Sequence, residues 1–220
     1  NDVNDALSAY RDVLDIDRAH APTLDALLRI TKLDEYRATA AEILEPRLRE
    51  LGRYDDLAQL LESTAEGISD PITKHAELRR IAALHEEQRS DAKAAFETLR
   101  RAFAEDPADQ ATSTDLERLA ESLNGWDKLS ETLSARASTV LDPNDGKRIY
   151  MRLAWILEEK LGNDAQAIEA YRRAAELTGD EDDVLAALER LYEKTHQWND
   201  LSETLDRRLA AASDPAQSTE

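Results

Sequence analysis

The stretch WDKLSETL at residues 126–133 recurs as WNDLSETL at residues 198–205, an interval of 72 residues. Other signatures keep the same interval. YDDL at 54 lies 72 residues before WDKL at 126, and Asp-Pro pairs occur at 70, 142 and 214. LERL occurs at 116 and 188, and RRA occurs at 100 and 172. Because these signatures share one interval, we predict an internal repeat of 72 residues, divided into two helical hairpins of about 36 residues each.

The composition favours an all-helical protein. The 220 residues include only 6 Gly and 6 Pro, and Ala and Leu are the most abundant types. Such a chain is short of turn-forming and β-branched residues and rich in helix formers. This argues against a β-sandwich, a barrel or a parallel-sheet fold.

Apolar residues fall at helical spacing within the proposed hairpins. A helix that carries such a stripe must bury it against neighbouring helices. The pattern predicts helices at 4–17, 22–33, 35–45, 46–51, 54–68, 72–88, 91–104, 111–123, 127–140, 146–160, 164–177, 183–195 and 199–211.

Capping residues predict where several helices begin. Ser90, Asn163 and Asp183 are predicted N-caps, and each Asp-Pro pair is compatible with a cap followed by proline at the first helical position. Pro46 is predicted to break or kink the chain near Glu45. We therefore expect residues 1–53 to form an irregular repeat region with an extra helix near 34–50. Two-hairpin units are predicted at 54–125 and 126–197, and a further unit begins at 198–220, as in a piece of a longer array.

The pattern resembles the tetratricopeptide repeat, in a form similar to long bacterial arrays. The family's order of large and small residues is matched by Leu153-Ala154, Leu157, Ala167, Tyr171 and Ala174, and again by Ile81-Ala82, His85, Ala95, Leu99, Ala102 and Pro107. The resemblance covers roughly residues 54–211, with a partial match at 4–33. It implies a right-handed superhelical α-solenoid of antiparallel helix pairs, whose concave face is lined by the first helix of each pair.

Residues on those first helices that avoid the apolar stripe are the candidate partner-binding residues. They are Arg79, Glu86, Glu117, Glu121, Met151, Trp155, Glu158, Glu189 and Glu193. This surface is predicted to be acidic, with one apolar spot at Met151 and Trp155. Packing of Trp155 against the next hairpin, and a solvated helix face for the glutamates, are the alternatives.

The search for catalytic or metal-binding motifs finds no site. His85-Glu86-Glu87-Gln88-Arg89 has Arg where a zinc-protease helix needs a second His. The stretch DPNDG at 142–146 resembles a calcium loop, but its Gly comes one residue early and its twelfth position is Leu153. The acidic run at 180–183 is interpreted as helix capping. We predict no catalytic residue, no cofactor and no metal site.

Charge and composition argue against further classes of partner. The formal net charge is −19, from 47 acidic and 28 basic residues. Nucleic-acid binding depends on neutralising phosphates with cations, so this balance disfavours it, as it disfavours anionic membranes. A basic partner would be attracted, although solubility alone also explains the charge. No apolar run could span a bilayer and no signal peptide is visible. We expect a cytoplasmic location, or a periplasmic one if the chain is a fragment.

Three functions remain open. The leading hypothesis is a non-catalytic scaffold that binds partner proteins or peptides on an acidic concave surface. The second is a structural spacer in a larger multiprotein assembly. The third and most remote is an RNA-processing helical-repeat factor.

Overall fold

A computed structural model describes residues 2–179 and 181–213, and every regular element in those residues is a helix. The helices are grouped into two compact units, Asn1–Asp106 and Pro107–Glu220. The predicted repeat boundaries at 53, 125 and 197 differ from this division and stay a prediction. Asp180 and the pair Asp214-Pro215 lie outside the described residues.

The described part of the first unit contains six helices: α1 Asp2–Ile16, α2 Ala21–Ile30, α3 Asp34–Glu50, α4 Tyr54–Glu66, α5 Pro71–Glu87 and α6 Ala92–Glu105. Short loops join them, so consecutive helices that pack together run antiparallel. α3 packs on α4, α4 on α5, and α5 most extensively on α6. Their apolar stripes meet in one core that includes Leu27, Leu44, Leu48, Leu57 and Ile81.

The second unit repeats this arrangement with α7 Gln110–Leu123, α8 Trp126–Ala137, α9 Pro143–Trp155, α10 Asp164–Thr178, α11 Asp182–Lys194 and α12 Trp198–Ser213. A π-helical segment, Ile156–Lys160, continues α9. α9 and α10 pack together most extensively in this unit, and α8 packs against both α7 and α9. The all-helical prediction is therefore confirmed for the described residues. No helix there is both long and apolar enough to cross a membrane.

The break predicted at Pro46 is wrong. α3 runs without interruption from Asp34 to Glu50, so there are not separate helices at 35–45 and 46–51. Pro46 lies on the exposed side of the helix. The carbonyl of Glu42 that loses its intrahelical partner is therefore close to solvent. Burial of Leu44 and Leu48 on either side of the proline keeps both parts of the helix on the same core.

Two of the predicted N-caps are also wrong. Ser90 has φ +52°, and the cap of α6 is Asp91, whose carboxylate accepts from the backbone N–H of Ala94 at 3.0 Å. α11 begins at Asp182, one residue before the predicted cap Asp183. In both cases the choice between neighbouring polar residues depends on backbone dihedrals that composition does not encode.

The other capping predictions are confirmed where the structure describes them. Asn163 accepts from the N–H of Gln166 at 3.2 Å. Asp70 accepts from the N–H of Thr73 at 2.9 Å, and Asp142 accepts from the N–H groups of Asn144 and Asp145. The Asp-Pro pairs at 70 and 142 thus place the carboxylate on free donors and the proline at the first helical position.

Candidate partner-binding face

Met151 and Trp155 lie one turn apart on the face of α9 that is not committed to the core. Leu153 and Ala154, which lie between them in the sequence, are buried, whereas Met151 is half-buried and the exposed fraction of Trp155 is 37%. A separation of four residues places two side chains on the same helix face. This brings together the two apolar residues that the sequence predicts as one spot.

An open cavity of about 430 Å³ adjoins this spot. Residues before and on α7 form one side, and residues of α8 and α9 form the other. The lining residues are Pro107, Gln110, Ser113, Thr114, Glu117, Leu133, Arg148, Ile149, Met151, Arg152 and Trp155. We call this the Trp155 cavity. The lining combines apolar side chains, such as Leu133 and Ile149, with polar ones, such as Gln110 and Thr114, as in sites that bind a side chain of a partner.

Trp155 is held by a second tryptophan. The rings of Trp126 and Trp155 meet edge to face, with centroids 6.1 Å apart and planes at 77°. The ammonium of Lys160 lies 4.7 Å from the Trp126 ring centroid and 5.6 Å from that of Trp155. The guanidinium of Arg152 lies 5.3 Å from the Trp155 centroid. Aromatic and cation–π contacts of this kind fix the exposed indole in one orientation.

Glu121 completes the cluster from α7. Its carboxylate accepts from the indole Nε1–H of Trp126 at 3.0 Å and from the ammonium of Lys160 at 2.9 Å. The Lys160 hydrogen bond and charge, together with the Trp126 hydrogen bond, lower the pKa of Glu121. Glu121 therefore stays charged in support of the two tryptophans.

Several glutamates of the predicted acidic surface form ion pairs between helices. Glu117 pairs with Arg152 on α9, and Glu189 pairs with Arg208 on α12. Glu193, at the end of α11, is exposed. Since a paired carboxylate offers little net charge to a ligand, the glutamates contribute less negative potential than their number indicates.

Glu158 is not on the exposed surface. Its side chain is 2% exposed, and both of its oxygens pair with the guanidinium of Arg190, with Nη2 to Oε2 at 2.9 Å. The spacing of Met151, Trp155 and Glu158 predicts one row of exposed residues on an α-helix. The π-helical segment after Trp155 has more residues per turn, so Glu158 lies on a different face. Arg79 and Glu86 belong to the other unit, where both are half-buried on α5 and both make contacts of their own.

Arg152, Lys160 and Trp126 contact the candidate residues, and the sequence did not predict these contacts. A signal was present, because the ion pair Glu117–Arg152 repeats the pair Glu45–Arg80 of the first unit at the 72-residue interval. The Trp126–Trp155 contact has no such counterpart, because the position that corresponds to Trp155 is Ala83. Within the described residues, no group of three or more His, Asp or Glu side chains is arranged to hold a metal ion.

Comparison with known proteins gives matches to one family model and to several solved structures. The tetratricopeptide repeat family model matches twice, at residues 149–185 and 184–218. Among solved structures, one of MamA protein has 14% identity and a TM-score of 0.45, covering 84% of this chain and 97% of that one. MamA AMB-1 has 20% identity and a TM-score of 0.42, covering 84% and 95%. MamA MSR-1 has 18% identity and a TM-score of 0.41, covering 81% and 99%. No curated protein matches the chain.

Proposed function

We propose that this chain is a helical-repeat protein of the tetratricopeptide type. On that premise it is a non-catalytic scaffold, which binds a partner protein or peptide at the Trp155 cavity. The observation that carries the proposal is the indole of Trp155. It is fixed in place by Trp126, yet 37% of its surface is open beside a cavity of about 430 Å³.

The energetics favour an apolar anchor over charge pairing. A buried aromatic contact at the centre of an interface contributes about 2 kcal/mol or more. An exposed ion pair contributes about 0–1 kcal/mol. Trp155 and Met151 therefore supply most of the affinity, for an apolar side chain of the partner. The net charge of −19 attracts a basic partner over longer distances and raises its rate of association.

The same charge argues against nucleic acid as the ligand. Affinity for RNA requires cations that neutralise phosphates, and Arg148 and Arg152 at the cavity already pair with Asp145 and Glu117. Filter binding of RNA at about 50 mM salt should therefore give no retention.

A structural spacer is the second candidate. It is favoured by the ion pairs that join first helices, Glu117 to Arg152 and Glu158 to Arg190, because such links stiffen a repeat without needing a ligand. A spacer needs no free binding site, so the two functions make different predictions for the Trp155 cavity.

The test is selection of a displayed random-peptide library on the purified chain, followed by affinity measurements on variants. Trp155→Ala should weaken binding of the selected peptides at least about thirtyfold, which is the equivalent of the anchor energy of about 2 kcal/mol. Thr114→Arg should block the cavity mouth from the other side while leaving the tryptophan cluster intact.

Trp198→Ala is the matched control, because Trp198 is more exposed than Trp155 and does not line the cavity. Peptides that bind the wild type and Trp198→Ala, but neither cavity variant, support the scaffold. Peptides that bind all four proteins equally contradict the proposed site. A library that yields no binder favours the spacer.

A further inference from the structure

One cavity of the first unit has a positively charged lining. It has a volume of about 400 Å³ and lies between the end of α2, the start of α3 and the middle of α4. No Asp or Glu among the described residues lines it, although acidic residues outnumber basic ones by 47 to 28 in the whole chain. Its charged and amide side chains are Arg29, Lys32, Arg37 and Gln59. We call it the Arg29 cavity.

Two of these cations are unpaired. Arg29 and Lys32 are exposed, and neither forms an ion pair with a residue that the structure describes. Most other cations of the first unit do pair with carboxylates, as Arg47 does with Asp15 at 2.6 Å. Two unpaired cations on one cavity, in a chain with an excess of carboxylates, therefore mark a local site for negative charge.

Helix capping does not use the side chains of Arg29 and Lys32. At the end of α2, the carbonyls of residues 28–30 accept from the Thr31 hydroxyl and from two backbone N–H groups, at 2.8–3.2 Å. The carbonyl of Thr31 accepts from Nε of Arg37 at 3.1 Å. The negative end of the α2 dipole favours cations here, but it leaves the side-chain donors of Arg29 and Lys32 unused.

Arg37 forms a fixed wall of the cavity. Its Nε donates to Thr31, its Nη2 pairs with Asp34, and only 24% of its side chain is exposed. Because Asp34 neutralises Arg37, the charge that remains at the cavity is that of Arg29 and Lys32. The site thus offers two positive charges to a ligand beside a guanidinium that is already held in place.

From these observations we propose that the Arg29 cavity binds a phosphoserine or phosphothreonine of a partner protein. A phosphomonoester has a charge of about −1.5 to −2 at pH 7, which matches the two unpaired cations. A single carboxylate would leave one of them unpaired. The guanidinium of Arg29 can donate two parallel N–H groups to the phosphate oxygens, and the ammonium of Lys32 adds a compact second charge.

Apolar side chains at the cavity favour a phosphorylated protein over free phosphate. Leu28 and Leu60 contribute to the lining, and Leu33, which directly follows Lys32, is 50% exposed. A free phosphate ion gains nothing from this apolar surface, whereas the residues that flank a phosphorylated side chain can cover it. The site lies in the first unit, so the inference is independent of the Trp155 cavity.

Three immobilised peptide pools test the proposal. Each pool has one fixed residue between random neighbours, and that residue is phosphoserine, serine or glutamate. Retention of the purified full chain is measured at about 0.15 M salt, where repulsion by the net charge of −19 is screened beyond about 8 Å. The phosphoserine pool should retain the chain at least about tenfold more strongly than the other two pools.

Variants of the lining show whether this retention uses the cavity. Arg29→Ala and Lys32→Ala should each weaken it at least about tenfold. Gln59→Glu should also weaken it, because it adds a negative charge without removing a cation, and α8 has Glu131 at the corresponding exposed position. Arg11→Ala is the matched control, since Arg11 is an exposed cation of α1 that does not line the cavity. Circular dichroism checks that each variant is folded.

A preference for phosphoserine that Arg11→Ala keeps and the three cavity variants lose supports the proposal. Equal retention on the serine pool, no retention on any pool, or retention that no cavity variant reduces overturns it. Equal retention on the glutamate pool overturns the match to a doubly charged group. Inorganic phosphate that releases the chain at the same concentration as a phosphoserine peptide overturns the assignment to a protein partner.

Discussion

Trp126 and Trp155 meet edge to face at 6.1 Å, and this contact joins α8 to α9 at the rim of the candidate binding cavity. The two rings are unequal in burial, 8% against 37% exposed. Trp126 therefore mainly stabilises the fold. One part of the Trp155 side chain packs against Trp126, and the rest is exposed to solvent. The pair explains how an exposed indole can be rigid before any partner arrives.

This division predicts different stability costs for the tryptophans. Trp126→Ala should lower the free energy of unfolding by about 3 kcal/mol or more, because it leaves a cavity in the core. Trp155→Ala should cost about 1–2 kcal/mol, since part of its surface is already in water. Trp198→Ala should change it by no more than about 0.5 kcal/mol. Urea denaturation followed by circular dichroism measures all three, and equal costs for Trp126 and Trp198 would contradict the structure.

Glu158 and Arg190 predict a second effect on stability. The Glu158 carboxylate is buried, so Arg190→Ala leaves a charge without its partner in a dry site and should cost about 2–3 kcal/mol. The double variant Glu158→Leu with Arg190→Leu should recover much of that loss, because no charge is then buried. Arg173→Ala, which removes only exposed ion pairs, is the control and should leave the urea midpoint unchanged. A double variant less stable than Arg190→Ala would count against a buried carboxylate at 158.

Ser90 and Asp91 test which residue caps α6. Ser90 has φ +52°, so Ser90→Gly should stabilise the chain by about 0.5–1 kcal/mol through relief of the left-handed conformation. Asp91→Ala should destabilise it by about 1 kcal/mol, because the N–H of Ala94 loses its acceptor. Thermal unfolding measures both. If Ser90 were the cap, Ser90→Gly would cost a few tenths of a kcal/mol and Asp91→Ala would have little effect.

The fold could be predicted from the sequence because the composition, the apolar spacing and the 72-residue interval all predict helices. The helix starts predicted at 54, 127 and 199 lie within one residue of the observed starts at Tyr54, Trp126 and Trp198, and the apolar period assigns Leu153 and Ala154 to the core. What could not be predicted depends on side-chain partners from other helices. The sequence places Glu117 and Trp155 on the right faces, but it does not say that Arg152 neutralises one or that Trp126 supports the other.

The repeat itself sets a second limit. Trp126 and Trp198 occupy the same position of the 72-residue repeat, yet Trp126 is buried and Trp198 is exposed. The two rings have different neighbours, because Trp126 contacts Trp155 of α9 whereas Trp198 contacts His196. An internal repeat thus predicts the helix but not the burial of its outer face.

Low pH should weaken the ion pair between Glu45 of α3 and Arg80 of α5. Burial alone would raise the pKa of Glu45, but hydrogen bonds and charge from Arg80 and Arg49 outweigh it and lower the pKa. A carboxyl whose pKa is lower in the folded than in the unfolded state adds stability above its unfolded pKa and loses it as pH falls through the folded pKa. Glu45→Gln should therefore cost no more than about 1 kcal/mol at pH 7, since the pair is partly exposed, and should flatten the loss of stability below about pH 4.5.

Urea denaturation at several pH values measures this effect. Glu42→Gln, an exposed glutamate on the same helix, is the control and should keep the wild-type slope. A Glu45→Gln variant that loses stability in acid as steeply as the wild type would show that Arg80 does not act through this carboxylate.

Pro46 makes the last prediction, because it lies inside a helix that it does not break. The proline lacks an N–H, so the carbonyl of Glu42 has no i+4 partner within α3. Pro46→Ala restores this hydrogen bond. The variant's unfolded chain has more conformational entropy, and this offsets part of the stabilisation. We expect a net stabilisation of about 1–2 kcal/mol and no change in helix content. Leu48→Ala, two residues further on at a fully buried position, should instead cost about 2–5 kcal/mol. Urea midpoints distinguish the two, and a Pro46→Ala variant that gains helical circular dichroism by several residues would mean that α3 is broken at the proline after all.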